Sequence, residues 1–493
     1  MSTSPPRRTA PGKVLAHVAV ATALAAVRLL RAPRRHQWHR EHAVAPIPEG
    51  KCHRIPITWV NRKRDFNLSA LGLFRTDDTQ AVELDFHEGV LNNPNAMLFC
   101  FDTLHRHLVF VEVTDVVSAV NEFPFLDRAI RVLTGAHMIR VPYQTAIRFA
   151  EDRFDYGSAT GSRTQSVGHS REKFPEFAIM WNTGRCGSTL MHRMMQKLGV
   201  CSFSEPYWFD QLSYNRKDFD DADIVSLLRT GLALDFSMTL RHEKLRPRNS
   251  SLIPFALGPK TVLNLLPQVE EACGGSCRHM FMYRDAAEVA ESFLSIFRPA
   301  PATWTGKLKS LIWPRRSPPT PDFEAADASR FTARSMLELV KHSKVPLPEK
   351  SAVAEEVVNW IDLLSAWLEY TESRSNTFTL GFRDFVHKDK RNQLVTSVKE
   401  WLAASVNKNT FVRNDMSDDE ATQAALQAFG SHSQAGSPME NSSHNAKKKV
   451  AKFLSSEDVA QINASVRSVP HLACLIREAH GKEQVVLPSS WGQ

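Results

Sequence analysis

Residues 177–198 constrain the fold more than any other stretch. Phe177–Ala178–Ile179–Met180–Trp181 is an apolar run with the length and bulk of a buried strand. It breaks at Asn182-Thr183-Gly184-Arg185-Cys186-Gly187, which holds two glycines, a basic residue and a hydroxyl. Ser188-Thr189 then lead into Leu190–Leu198, which has helical spacing. A strand, a glycine loop and a helix in this order bind phosphate. The glycines let the backbone approach the anion, the N–H groups of the loop and first turn point at it, and the helix dipole favours negative charge.

The loop is not a Walker A motif, G-x-x-x-x-G-K-[ST]. With Gly187 as the last glycine, Ser188 stands where the lysine belongs and Asn182 where the first glycine belongs. The lysine that would reach β- and γ-phosphates is missing, and the basic residue sits inside the loop at Arg185. This design suits a smaller 5′-anion that is activated without a γ-phosphate.

A second element repeats the pattern. Arg278–Tyr283 reads as a short buried strand ending in Arg284-Asp285, and a helix follows over Ala286–Phe297 with Ser292 eight positions after Arg284. An arginine at a strand end and a serine two turns into the next helix can both reach one phosphate, the arginine by a bidentate, charge-assisted contact.

Thr183-Gly184-Arg185-Cys186-Gly187-Ser188-Thr189 resembles the 5′-phosphosulfate-binding loop of the sulfotransferases, and Arg284-Asp285 with Ser292 is similar to their 3′-phosphate motif. Those enzymes have a P-loop fold and use 3′-phosphoadenosine 5′-phosphosulfate (PAPS). The likeness covers about residues 175–300 well and 350–480 loosely. It is closer to the carbohydrate and small-metabolite type than to the cytosolic type. Ala286 stands where the family often has proline. The resemblance implies a three-layer α/β/α fold around a mainly parallel sheet. It also implies PAPS binding by Thr183, Gly184, Arg185, Cys186, Gly187, Ser188 and Thr189 at one end and by Arg284 and Ser292 at the other. Arg185 would act as the catalytic cation, and no metal is required. Some members carry a glutamate after the second strand, in some of them as base. Here Val200–Ser204 reads as that strand and Glu205-Pro206 follows. Glu205 is the candidate base, the alternative being that it caps the next segment or pairs with Arg185. Cys186 lies beside Arg185, where an acidified thiol is expected, though direct sulfuryl transfer needs no nucleophilic cysteine.

Charge narrows the partners. The net charge is +8, and residues 1–40 hold Arg7, Arg8, Lys13, Arg28, Arg31, Arg34, Arg35 and Arg40 with no acidic residue. The remainder is therefore formally neutral, which argues against a nucleic-acid groove. Within the basic segment, the apolar run Val14–Val27 is short of the roughly 20 residues that span a bilayer. Three readings fit it: a signal or signal-anchor, an Arg-rich transit peptide, and an interfacial or unstructured segment. The first, favoured, implies a Golgi or secretory membrane, the second a mitochondrion or plastid. Sequons at Asn67, Asn249, Asn441 and Asn463 support secretion weakly.

The expected organisation is a basic segment over residues 1–45, a small α+β module over 46–160 and the P-loop-type domain over 170–480. In the module, Met97–Phe101 and His107–Val113 read as strands and Asp115–Asn121 and Phe125–Leu133 as helices. Helices are expected over Asp220–Leu234, Thr261–Ala272, Ser351–Tyr370, Arg391–Ala403 and Ser455–Ala479, and a last strand over Phe378–Phe382 ends in Arg383-Asp384-Phe385. Pro-rich residues 298–350 read as an insertion. Lys260, and Lys447–Lys449 in a polar segment, are either further ligands or solvated. Cys273 and Cys277 could close a small disulfide in an oxidising compartment, but with His279 they lack the second pair that a zinc site needs. The acceptor is a small molecule or glycan that the sequence does not identify. The competing functions are a P-loop kinase or NTPase, against which the missing lysine counts, and an inactive nucleotide-binding or interaction protein of the same fold.

Overall fold

The computed structural model describes residues 46–60, 71–123, 125–156, 171–214, 216–249, 251–259, 263–297, 347–372, 374, 376–403, 416–429, 454–479 and 482–485. The expectations for residues 1–45, for most of the Pro-rich insertion, for Lys260 and for Lys447–Lys449 lie outside these. All the described residues but Pro46 belong to a single compact unit.

The chain first builds an antiparallel sheet from β1 (Lys51–Val60), β2 (Phe74–Thr76), β3 (Val82–Asp85), β4 (Ala96–Asp102), β5 (His107–Val113) and, after helices α1 (Val116–Asn121) and α2 (Leu126–Leu133), β6 (Thr134–Pro142). Its order is β2-β1-β6-β5-β4, with β3 also on β1. The sequence points to β4, β5, α1 and α2. It conceals β1 and β6, because Pro56 and Gly135 sit where strands usually break. The sheet accommodates Pro56 by using its carbonyl, which accepts from the Asp77 N–H at 3.0 Å. Helix α3 (Tyr143–Arg153) follows, and β7 (Phe154–Asp155) pairs with β8 (Glu172–Lys173).

The second sheet is wholly parallel. Its strands are β9 (Phe177–Asn182), β10 (Cys201–Ser204), β11 (Phe255–Gly258), β12 (Cys277–Tyr283) and β13 (Thr377–Gly381), in the order β10-β11-β9-β12-β13. The crossovers include α4 (Ser188–Lys197), α5 (Tyr207–Tyr214), α6 (Asp221–Arg241), α7 (Leu266–Cys273), α8 (Ala286–Phe297) and α9 (Leu347–Thr371). After β13 come α10 (Phe382–Val386), α11 (Arg391–Leu402) and α12 (Asp418–Ala428). Every residue of β9 is buried. Phe177, Ile179 and Trp181 join the cluster that holds Leu227 of α6, Val269 of α7 and Trp360 of α9. Ala178 and Met180 join the cluster of Met191 on α4, Val398 on α11 and Ala425 on α12. A parallel strand buried on both faces reads as a continuous apolar run, which is why β9 and β12 are legible in the sequence.

Four helical readings change. The helix expected over Thr261–Ala272 begins only at Leu266, with Pro267 in its first turn. Helix α6 runs to Arg241, well beyond Leu234, with its middle buried. Helix α12 lies in the segment read as polar. Ser417 and Glu420 form its capping box, and Ala421, Ala425 and Ala428 are buried, a stripe too small to signal amphipathicity. The expected helix Ser455–Ala479 stops at Arg467, ahead of Pro470, and Ile476–Ala479 is instead a strand paired with Lys482–Val485. Among the described residues, no helix is long and apolar enough to cross a membrane, and no group of three or more His, Cys, Asp or Glu side chains could hold a metal ion. Cys273 and Cys277 are buried free thiols. Asn249 is buried, with its Oδ1 accepting from the Ser251 N–H at 2.9 Å, so this sequon is closed in the folded chain.

Buried histidines set the acid limit. Burial lowers His192 to about 3 and His107 to about 4, against 6.5 for the free side chain. The unfolded chain thus binds their protons first, and stability falls as pH drops through 6.5 towards 4. Asp235, raised by burial to about 7, acts in the opposite sense. From these three groups the net slope is close to zero between pH 7.5 and 6.5, where Asp235 offsets the histidines, and approaches about 1.4 kcal/mol per pH unit near pH 5. Urea unfolding at pH 6.5, 5.5 and 4.5 measures it, and a flat profile over that range would contradict these assignments.

Candidate functional site

Because the five strands of the second sheet are parallel, their C-terminal ends share one edge, where open α/β sheets bind ligands. Register places Ser204 beside Gly258, Asn182 beside Met282, and Tyr283 beside Gly381. The loop after β9, in the middle of the row, is held from both sides. Asn182 donates through Nδ2 to the Pro259 carbonyl at 2.9 Å and accepts from the Gly184 N–H at 2.9 Å. The Thr183 N–H donates to the Met282 carbonyl at 3.0 Å, and Thr183 Oγ1 accepts from the Arg284 N–H at 3.2 Å.

The loop turns through left-handed backbone at Gly184 (φ 75°), Arg185 (φ 54°) and Gly187 (φ 89°). Helix α4 opens immediately afterwards, with Gly187 as its N-cap and no side-chain cap. A Cβ on Gly187 would lie 3.1 Å from Phe385 and 3.2 Å from Phe382, so the α10 corner closes on the loop only because a glycine stands there. Cys186 is fully buried in the methionine-rich cluster, and burial pushes its thiol up to about 12. Burial thus opposes the acidified thiol expected beside Arg185, and the side chain of Cys186 is withdrawn into the core. Thr189 is nearly buried and Ser188 half-buried at the helix mouth.

Arg185 and Arg284 meet beside this loop, where Arg284 Nη1 donates to the Arg185 carbonyl at 3.4 Å. Arg185 Nε donates to Ser292 Oγ on α8 at 3.0 Å. Arg284 Nε donates to Glu288 Oε2 at 3.0 Å, and its guanidinium lies 4.5 Å from the centre of the Phe382 ring. Trp360 on α9 anchors the Arg284 carbonyl at 2.8 Å. Burial, and then the Arg284 charge, lower the pKa of Arg185, while the charge of Glu205 works against this. Arginine still keeps its proton, so two cations lie close together, Arg284 paired with Glu288 and Arg185 drawn by the charge of Glu205. Asp285 caps α8, accepting from the Ala287 N–H at 3.1 Å, and burial raises its carboxyl.

Glu205 directly follows β10, the edge strand two places from β9, in left-handed backbone (φ 52°), its N–H donating to the Gly258 carbonyl at 2.8 Å. Among the described residues only Arg106, Arg185 and Glu205 are non-glycine residues at positive φ. Helix α5, which starts after Glu205-Pro206, is braced by the antiparallel sheet. Gln211 accepts from the Phe101 N–H at 2.7 Å and donates to its carbonyl at 2.8 Å, completing the edge of β4. Trp208 donates to Asp235 at 3.0 Å.

Of the residues singled out in the sequence, Thr183, Arg185, Arg284 and Ser292 thus form one bonded cluster, with Glu205 in electrostatic reach of Arg185. Sequence reasoning did not find Glu288, Phe382 or Arg383. The spacing of Arg284 and Glu288 by four residues in and before a helix was an available signal for the first. The other two come from the start of α10, directly after β13 and nearly 100 positions later, with no local sign of their destination.

No family model matches the sequence, and no curated protein matches it. Among solved structures, the chain is matched to a sulfotransferase domain from the curacin biosynthetic pathway at 14% identity, over 59% of this chain and 98% of that one, with a TM-score of 0.26. A score that low decides neither fold nor chemistry for this chain.

Proposed function

We propose that the protein is a sulfotransferase of the P-loop type, moving a sulfuryl group from PAPS to a hydroxyl or amine of an acceptor. One observation carries this reading. Arg185, inside the glycine loop, bonds Ser292 on the helix that follows Arg284, and Arg284 bonds the Arg185 carbonyl, so two arginines and a hydroxyl are linked at the loop that leads into an uncapped helix. In this reading the parallel sheet with helices on both faces is the three-layer α/β/α core. Residues 46–160 are an accessory module, and the basic N-terminal segment anchors the chain in a Golgi or secretory membrane, a mitochondrial or plastid transit peptide being the alternative.

The donor set fits a nucleotide with two anionic ends. Ser188, Thr189 and the loop N–H groups would hold a 5′-phosphate, and Arg284 with Ser292 a 3′-phosphate. Bound there, PAPS would supply an activated sulfuryl group. Arg185 and the loop amides would neutralise the charge that grows on the bridging oxygen of the leaving bisphosphate, an effect of about 10²–10³-fold for a strong donor. Glu205 would take the proton of the acceptor as the new bond forms. Guanidinium and amide groups supply the neutralisation, so the scheme requires no divalent ion.

Isothermal titration of the full chain with 3′,5′-ADP, and separately with ATP and Mg²⁺, tests the reading. Micromolar affinity for 3′,5′-ADP, weaker binding of ATP, and a loss of about tenfold or more in Arg284→Ala are expected. Binding of ATP with Mg²⁺ and indifference to the 3′-phosphate would replace the sulfotransferase with a kinase or NTPase. Binding of neither would leave an inactive member of the fold.

A further inference from the structure

A third arginine stands at the same strand edge. Arg383 lies one residue into α10, directly after β13, and β13 pairs with β12 so that Gly381 is opposite Tyr283. The two chain ends therefore leave the sheet side by side, one into Arg284 and the other into Phe382-Arg383. Arg383 Nη2 donates to Glu288 Oε1 at 2.5 Å while Arg284 Nε donates to Oε2 of the same carboxylate at 3.0 Å. Burial disfavours ionisation of Glu288, but the bonds from Arg383 and Arg284 outweigh it and hold the carboxyl below the ordinary glutamate range.

The corner that carries Arg383 is clamped rather than loose. Phe382 lies under the Arg284 guanidinium, and Phe382 and Phe385 both press on the space above Gly187 in the anion loop. Arg383 is thus flanked by two rings that fix its backbone against the site, while its own side chain is 38% exposed. Glu288 is shared by Arg284 and Arg383, so one carboxylate charge is divided between two guanidinium groups and the trio keeps one net positive charge. A phosphate monoester completes that balance, and a hydroxyl does not. The bond to Glu288 engages Nη2, and a guanidinium has further N–H donors in a fixed fork.

We propose that Arg383 is a further specificity-determining residue: together with Arg284 it binds the terminal phosphate monoester of the nucleotide, and Glu288 holds both guanidinium groups ready for it. The inference rests on the sulfotransferase reading of the site. It predicts that discrimination between 3′,5′-ADP and 5′-AMP depends on Arg383, whereas affinity for the shared 5′-phosphate does not.

The test is calorimetric titration of the full chain with these two nucleotides, in wild type, Arg383→Met and Arg383→Lys. Methionine keeps the aliphatic stem, and lysine keeps the charge without the planar fork. Arg383→Met is expected to weaken 3′,5′-ADP by about 10- to 100-fold and 5′-AMP by less than about twofold, with Arg383→Lys recovering part of the loss. Equal losses for both nucleotides would make Arg383 structural and overturn the proposal. Unchanged 3′,5′-ADP affinity in Arg383→Met would overturn it too, while the sulfotransferase reading stands if Arg284→Ala still loses the ligand. A wild-type protein that does not distinguish the two nucleotides would overturn both.

Discussion

Arg185→Ala is expected, if the proposed sulfotransferase function holds, to slow sulfuryl transfer by about 10²–10³-fold while weakening 3′,5′-ADP far less than Arg284→Ala does. The reason is where its charge acts. Arg185 sits in the loop between β9 and α4, bonded to Ser292 and beside Arg284. Negative charge on the bridging oxygen grows only as the sulfuryl group leaves, so a cation held there stabilises the transition state more than the bound nucleotide. The position also stores strain. A non-glycine residue at φ 54° costs roughly 1–2 kcal/mol, a cost that glycine avoids. Arg185→Gly should therefore be more stable than Arg185→Ala by about 1 kcal/mol yet equally slow. Release of 3′,5′-ADP from PAPS, followed with an acceptor identified by screening, measures the rate, and urea unfolding measures the stability. A glycine variant that keeps most of the rate would remove Arg185 from the chemistry.

Gly258→Ala is expected to destabilise the fold by about 3 kcal/mol or more. Gly258 ends β11, and a Cβ there would lie 1.8 Å from His192 Nε2 and 2.3 Å from Cε1. The ring cannot swing aside. It is 3% exposed on α4, and its Nδ1 bonds the Ser202 hydroxyl. The clash must instead part β11 from α4, and both elements border the candidate site, since the Gly258 carbonyl also receives the Glu205 N–H. His192→Ala removes the obstacle at the expense of a cavity. The double variant Gly258→Ala/His192→Ala should then be less unstable than the sum of the single changes by about 1–3 kcal/mol. Strict additivity in denaturant midpoints would show that the two residues do not compete for the same space.

Some of this was legible beforehand. Phe177–Trp181 and Arg278–Tyr283 announce strands because a parallel strand buried on both faces has no polar side to interrupt its apolar run. The glycine loop is equally visible, since left-handed backbone at Gly184 and Gly187 asks for a residue without a Cβ. The antiparallel sheet was only half legible. Its inner strands β1 and β6 carry Pro56 and Gly135, and their pairing depends on partners that local composition does not announce.

The chain's local chemistry was enough to specify a strand, an anion-ready turn and a helix, repeated at Arg284, because backbone geometry and hydrophobic period are short-range properties of neighbouring residues. Which side chains would share that space was settled by the fold alone. Arg185 reaches Ser292 across 107 positions, Arg383 reaches Glu288 across 95, and Gln211 completes the edge of a strand 110 positions away. Those meetings follow from strand order and register, which bring β9, β12 and β13 out at one edge, and order and register are set by packing over the whole sheet.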